Sequence, residues 1–127
     1  MTKKHILLID DNEADNYISE FVINEVAAAT KVTKATSAIK ALEYLDTVKG
    51  NTDTFPDCIF LDIRMPEMDG FGFLEVFMQF PEAVNSESCV IMLSSSNNQK
   101  DIDRALGYPV VKKFLTKPLE PEMLEKL

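Results

Sequence analysis

The sequence predicts a doubly wound α/β domain, in which a parallel sheet of five strands is covered on both faces by helices. Three observations predict it. Five short β-leaning runs alternate with helical patterns along the chain, an order that right-handed crossovers close into a parallel sheet. The third and fourth runs, CIFL and CVIML, are apolar throughout instead of alternating, as expected of central strands buried on both faces. The 127 residues, 46% hydrophobic and 27% charged, suffice for one ordinary core, so residues 1–127 are read as a single domain.

The first strand is HILLI, 5–9, with His5 expected at its surface. Asn12 then caps a helix whose apolar positions Ala14, Tyr17, Ile18, Phe21, Val22 and Val26 share one face. KVTKA, 31–35, is the second strand, and Ser37 caps a helix with Ala38, Ala41, Leu42, Leu45 and Val48 on one side. GNTDTFP, Gly50 to Pro56, reads as a polar inserted loop before the third strand at 58–61. A third helix begins near Phe71, buries Phe73, Leu74 and Phe77, and ends by Pro81. The fourth strand, 89–93, leads to a helix over 100–106 that stops at Gly107, a natural residue beyond a helix end. VVKKFLT, 110–116, is the fifth strand, and the last helix has Pro121 in its first turn with Met123, Leu124 and Leu127 on one face.

A net charge of -8 repels phosphate backbones and anionic lipid, so neither nucleic acid nor a membrane surface is an expected partner, whereas a small cation is. Cys58 and Cys89 each open an apolar run without a metal-binding spacing, which suits buried, reduced core residues. The apolar stretch Ile6 to Ile9 is too short for a signal peptide or a span, and the expected location is cytoplasmic.

In an open parallel sheet, functional groups gather beyond the carboxyl ends of the strands. The first strand ends in Asp10 and Asp11, the third in Asp62, the fourth in Ser94, and the fifth in Thr116 and Lys117. Carboxylates held together repel one another and call for a positive charge. Hard oxygen ligands with room for water suit Mg²⁺, while Lys117 and the Ser94 hydroxyl can meet phosphoryl oxygens. With no Gly-rich cradle for a nucleotide, these groups favour transfer of a phosphoryl group onto a carboxylate.

ILLIDD, LDIRMPEMDG, IMLSS and FLTKP, in this order and at these spacings, resemble the motifs of the receiver domain of bacterial two-component response regulators, across nearly the whole chain. The resemblance implies a flavodoxin-like (βα)5 fold with strand order 2-1-3-4-5. It makes Asp62 the phosphoacceptor, Asp11 a direct Mg²⁺ ligand, Asp10 a ligand mainly through bound water, and the Arg64 backbone carbonyl a further ligand. Ser94 stands at the switch hydroxyl, Phe114 at the switch aromatic, and Lys117 at the phosphoryl-binding lysine, with a cis peptide between Lys117 and Pro118. Arg64 and Ser96 stand at flanking positions that tune rates, and Ser95 stands where a smaller residue is common. The implied partner is a sensor histidine kinase or histidine phosphotransfer protein. The implied output is a change in the surface formed by the fourth helix, fifth strand and last helix, in a monomer or a phosphorylation-linked dimer. The domain is then a signalling module that catalyses only its own phosphorylation and dephosphorylation.

Two alternatives compete. A haloacid-dehalogenase-type phosphohydrolase needs a second acid two residues past its nucleophile, where this chain has Arg64 after Asp62 and Asn12 after Asp10. A receiver-fold docking module that works without phosphorylation would not require Asp10, Asp11, Asp62, Ser94 and Lys117 together.

Overall fold

A computed structural model describes residues 3–126. Its elements are β1 (Lys3–Ile9), α1 (Glu13–Glu25), β2 (Ala29–Ala35), α2 (Ala38–Val48), β3 (Cys58–Leu61), α3 (Gly70–Phe77), α4 (Pro81–Val84), β4 (Cys89–Ser94), α5 (Gln99–Leu106), β5 (Val111–Thr116) and α6 (Pro121–Glu125). The strands form one parallel sheet in the order β2-β1-β3-β4-β5, as expected. Leu127, expected on the face of the last helix, lies outside the described residues.

Alternation along the strands divides the core in two. Leu7, Ile9, Ile59, Leu61, Val90 and Met92 face α2 and α3, which contribute Ala41, Leu45, Phe73, Leu74 and Phe77. Ile6, Leu8, Cys58, Phe60, Ile91 and Leu93 face the other way, toward Ile23 of α1 and Leu124 of α6. Burying each large apolar side chain is worth roughly 1.5–3 kcal/mol, so the central strands anchor the sheet. By contrast, α5 has only Ala105 fully buried. Surface contacts around its C-terminal end add to its attachment: the Arg104 guanidinium lies 4.0 Å from the Phe71 ring centre, and the Tyr108 hydroxyl donates to Glu75 at 2.5 Å.

Four local expectations need correction. Most of the apolar stripe of α1 faces away from the core: Tyr17, Phe21 and Ile18 are 65%, 55% and 45% exposed, while Val22 packs against the core and Asn16, Ser19 and Ile23 are buried. Polar residues turn inward because Asn16 Nδ2 donates to the strand-end carbonyls of Asp10 and Ala35, at 3.0 and 3.3 Å. The loop after α2 is polar but anchored, since Phe55 is buried against Phe77 and Phe80. Pro81 does follow the end of α3, and it also opens the single turn α4, where a missing N–H costs nothing. Cys89 is only partly buried; it pairs in register with the buried Cys58 across β3 and β4, and both are free thiols.

His5 is the fourth correction, because it is buried, at 3% exposure. Its Nδ1–H donates to the Thr54 carbonyl at 3.0 Å, which leaves Nε2 to accept from the Thr33 hydroxyl at 2.7 Å. The neutral ring satisfies both partners, and burial lowers its pKa below the ordinary 6.5. The unfolded chain therefore binds the proton more readily, and stability falls as pH drops below 6.5. Thermal midpoints on either side of 6.5 should fall more steeply with acid in the wild type than in His5→Gln. Parallel curves for the two proteins would refute this account.

Candidate functional site

Backbone ladders extend one residue past the strands and deliver the site residues to one edge. The Asp10 N–H donates to the Ala35 carbonyl at 3.1 Å, that of Asp62 to Ile9 at 3.0 Å, and that of Lys117 to Ser94 at 2.9 Å. Carboxylate oxygens of Asp10, Asp11 and Asp62 all lie within 4.8 Å of one another, the first and third buried and the second exposed. Asp62 Oδ1 accepts from the Ile63 N–H at 2.8 Å, which fixes the orientation of its carboxylate. Asp10 Oδ1 likewise accepts from the Asn12 N–H at 2.9 Å.

The Lys117 ammonium offsets part of this negative charge, 2.5 Å from Asp10 Oδ2, 2.9 Å from Asp15 Oδ2 and 3.3 Å from Asp62 Oδ2. Burial disfavours its charge, but the hydrogen bonds to Asp10 and Asp15 and the charge of Asp62 outweigh that, holding its pKa well above the ordinary value. Burial likewise raises the Asp10 carboxyl, a shift that Lys117 and the Asn12 N–H oppose and the charge of Asp62 reinforces. Asp15 is a participant that the motifs did not reveal. Its only sequence signal is an acid in the first turn of the helix that follows Asp10 and Asp11.

Ser94 is fully buried at the end of β4, and its Oγ accepts from the Ser96 N–H at 3.1 Å. Phe114 lies two residues before the end of β5, opposite Met92, partly buried against the core. The Lys117-Pro118 peptide bond is cis. Arg64 is exposed beside the site, where its guanidinium pairs with Asp101 at 3.2 Å. Ser95, together with Ile18, Lys117 and Leu119, lines an open cavity of about 280 Å³ beside the acids.

The loop between Asp62 and α3 is tightly constrained. Glu67 has a positive φ of 70°, and the Gly70 N–H donates to the Ile63 carbonyl at 2.8 Å. A Cβ on Gly70 would stand 2.4 Å from the Asp62 carbonyl oxygen, so α3 starts hard against the backbone that carries this acid. Asp69 caps α3 by accepting from the Gly72 N–H at 2.8 Å.

The three carboxylates suit a hard divalent cation such as Mg²⁺, which takes oxygen ligands and retains water. An oriented carboxylate, a lysine and a buried hydroxyl at one edge can together receive and hold a phosphoryl group. The family model described as "Response regulator receiver domain" matches residues 6–127. This chain belongs to that family.

Among curated relatives, the Arabidopsis thaliana two-component response regulator ARR17 is 33% identical over 130 residues, covering 97% of this chain and 81% of that protein. Rice two-component response regulator ORR1 is 27% identical over 96% of this chain, which spans 52% of ORR1's length, about half. The crystal structure of a two-component response regulator from Cytophaga hutchinsonii superposes with a TM-score of 0.90 at 26% identity, covering 99% of this chain and 94% of that one. The receiver therefore acts in two-component signalling, within a family found in plants as well as bacteria. Receiver domains take phosphoryl groups from histidine kinases or phosphotransfer proteins. No helix among the described residues is long and apolar enough to cross a membrane.

Proposed function

We propose that this receiver is a phosphoacceptor switch in which Asp62 takes the phosphoryl group. The observation that carries the reading is the meeting of an oriented Asp62 with Asp10, Asp11, Lys117 and Ser94 at one sheet edge. An Asp62 carboxylate oxygen attacks phosphorus, and the bond from phosphorus to the donor breaks. Its electron pair leaves on the imidazole nitrogen of a phosphohistidine, or on acetate when the donor is acetyl phosphate. Asp10, Asp11 and Asp62, with the Arg64 backbone carbonyl, would hold Mg²⁺. When bound, the cation would supply positive charge to the phosphoryl oxygens. Lys117, already 3.3 Å from Asp62, neutralises a second oxygen, and the Ser94 hydroxyl donates to another.

The donor is a sensor histidine kinase or a histidine phosphotransfer protein. The exposed Tyr17, Ile18 and Phe21 offer the donor an apolar face on which to dock. Their helix also contributes Asp15 and Ile18 to the cavity containing Lys117, so the docking face continues into the mouth of the site. After transfer, Ser94 moves toward the phosphoryl group, Phe114 follows into the vacated space, and the surface of α5, β5 and α6 shifts toward a partner-binding population. The net charge argues against direct contact with nucleic acid or membrane, and a cytoplasmic setting suits the two free thiols.

Intact mass after incubation with acetyl phosphate tests the chemistry. The wild type should gain one phosphoryl group only when Mg²⁺ is present, and Asp62→Asn should gain none. An adduct of equal yield in the Asn variant would place the acceptor elsewhere.

A further inference from the structure

Arg64 and Ser96, the two residues flanking the site, meet on a third residue. Asp101, in the first turn of α5, accepts through the same Oδ2 from Arg64 Nη2 at 3.2 Å and from the Ser96 hydroxyl at 3.1 Å. Ser96 is tied in both directions: its N–H donates to Ser94 Oγ at 3.1 Å, and its own Oγ accepts from the Asn98 N–H at 3.2 Å. Asn98 in turn caps α5 by accepting from the Lys100 N–H at 2.9 Å. An unbroken hydrogen-bonded path thus joins the Ser94 hydroxyl to the start of α5, and Arg64 ties that path to the loop carrying Asp62.

The charges make the path sensitive to phosphorylation. The Arg64 and Asp101 side chains are 72% and 20% exposed, so their pair is screened and weak. Phosphorylation replaces the single charge of the Asp62 carboxylate with an acyl phosphate carrying nearly two, two residues from Arg64, and it offers the Ser94 O–H a charged acceptor. Arg64 then has a stronger partner than the one it holds, while Ser94, whose oxygen accepts from the Ser96 N–H, gains an acceptor for its own O–H. With only Ala105 of α5 fully buried, little apolar packing opposes a shift of its first turn.

We propose that Asp101 is a positioning residue of the phosphoacceptor site: it holds Arg64 and Ser96 together in the unphosphorylated receiver, and a phosphoryl group on Asp62 competes with it for Arg64. This rests on the phosphoacceptor reading above and adds the residue that couples the site to α5. While Asp101 engages Arg64, the guanidinium is withheld from an anionic donor. Releasing it hastens phosphorylation and frees the first turn of α5.

The test follows the mass gain with acetyl phosphate and Mg²⁺ over time in the wild type, Asp101→Asn, Arg64→Ala and the double variant. Asp101→Asn should react about two- to fivefold faster, the scale of one exposed ion pair. With Arg64→Ala in the background, the Asp101 change should have no effect on rate, because the guanidinium that Asp101 withholds from the donor is gone. Amide exchange across 99–103 gives a second reading, in which unphosphorylated Asp101→Asn should resemble the phosphorylated wild type. A wild-type rate in Asp101→Asn, or equal acceleration with and without Arg64, would overturn the coupling. A wild type that gains no phosphoryl group at all would instead overturn the phosphoacceptor reading, while exchange across 99–103 would still report whether Asp101 holds the helix.

Discussion

Gly70→Ala should cost the domain about 3 kcal/mol and slow phosphorylation of Asp62 about a hundredfold. The new methyl would stand 2.4 Å from the Asp62 carbonyl oxygen and 3.0 Å from Ile63 Cα, and both are backbone atoms that no rotamer change can move aside. Relief requires α3 to back away or the loop after β3 to shift. The second response displaces the Ile63 N–H, which orients the Asp62 carboxylate at 2.8 Å. The strain therefore reaches the Asp62 carboxylate as well as the core. Gly50→Ala makes the contrast: Gly50 has a φ of +81° but nothing within 4 Å of an added methyl, so that variant should lose about 1 kcal/mol and phosphorylate normally. Urea unfolding and the rate of mass gain, measured on both variants, separate the two effects. A Gly70→Ala protein with wild-type midpoint and rate would show that the close approach does not constrain the site.

The motifs at the strand ends foretold which residues would converge, because a parallel sheet delivers its carboxyl ends to one edge whatever covers its faces. Asp10, Asp11, Asp62, Ser94 and Lys117 needed only the strand positions to be right. Helix periodicity carries less information: it shows that Tyr17, Ile18 and Phe21 share a face, but not whether that face meets the core or a partner. In α1 two of the three buried positions, Asn16 and Ser19, are polar, and Asn16 satisfies carbonyls at the ends of β1 and β2. His5 misled for a related reason, because a polar residue opening an apolar run looks exposed unless its partners are known. Those partners, Thr33 and Thr54, lie 28 and 49 residues away. Asp15 and Asp101 belong to no motif; each acts through side chains brought near it by folding, Lys117 in one case and Arg64 in the other.

Lys117→Met tests how the acids are kept together. Without Mg²⁺, the variant should lose about 3 kcal/mol of stability, because the buried Asp10 and Asp62 would face each other with their shared cation removed. Asp15, whose side chain is 36% exposed, can turn to solvent and limits the loss. The pH dependence has a definite sign. Burial already raises the Asp10 carboxyl, and without Lys117 it should rise further, so the folded variant binds a proton that the unfolded chain does not. Metal-free Lys117→Met should therefore gain stability as pH falls through the raised Asp10 value, and lose it again as pH climbs. Mg²⁺ should abolish that slope and restore most of the lost stability, since a ligand that binds only the folded state stabilises it. The variant should also bind Mg²⁺ about tenfold more tightly, because the ammonium otherwise competes for the same carboxylates. Phosphorylation should nevertheless slow about a hundredfold or more, since the cation proposed to meet the phosphoryl oxygen is gone. Melts in chelator and in Mg²⁺, with a Mg²⁺ titration and a mass time course, read all three effects. Weaker Mg²⁺ binding in Lys117→Met would show that Lys117 orders the metal ligands instead of competing for them.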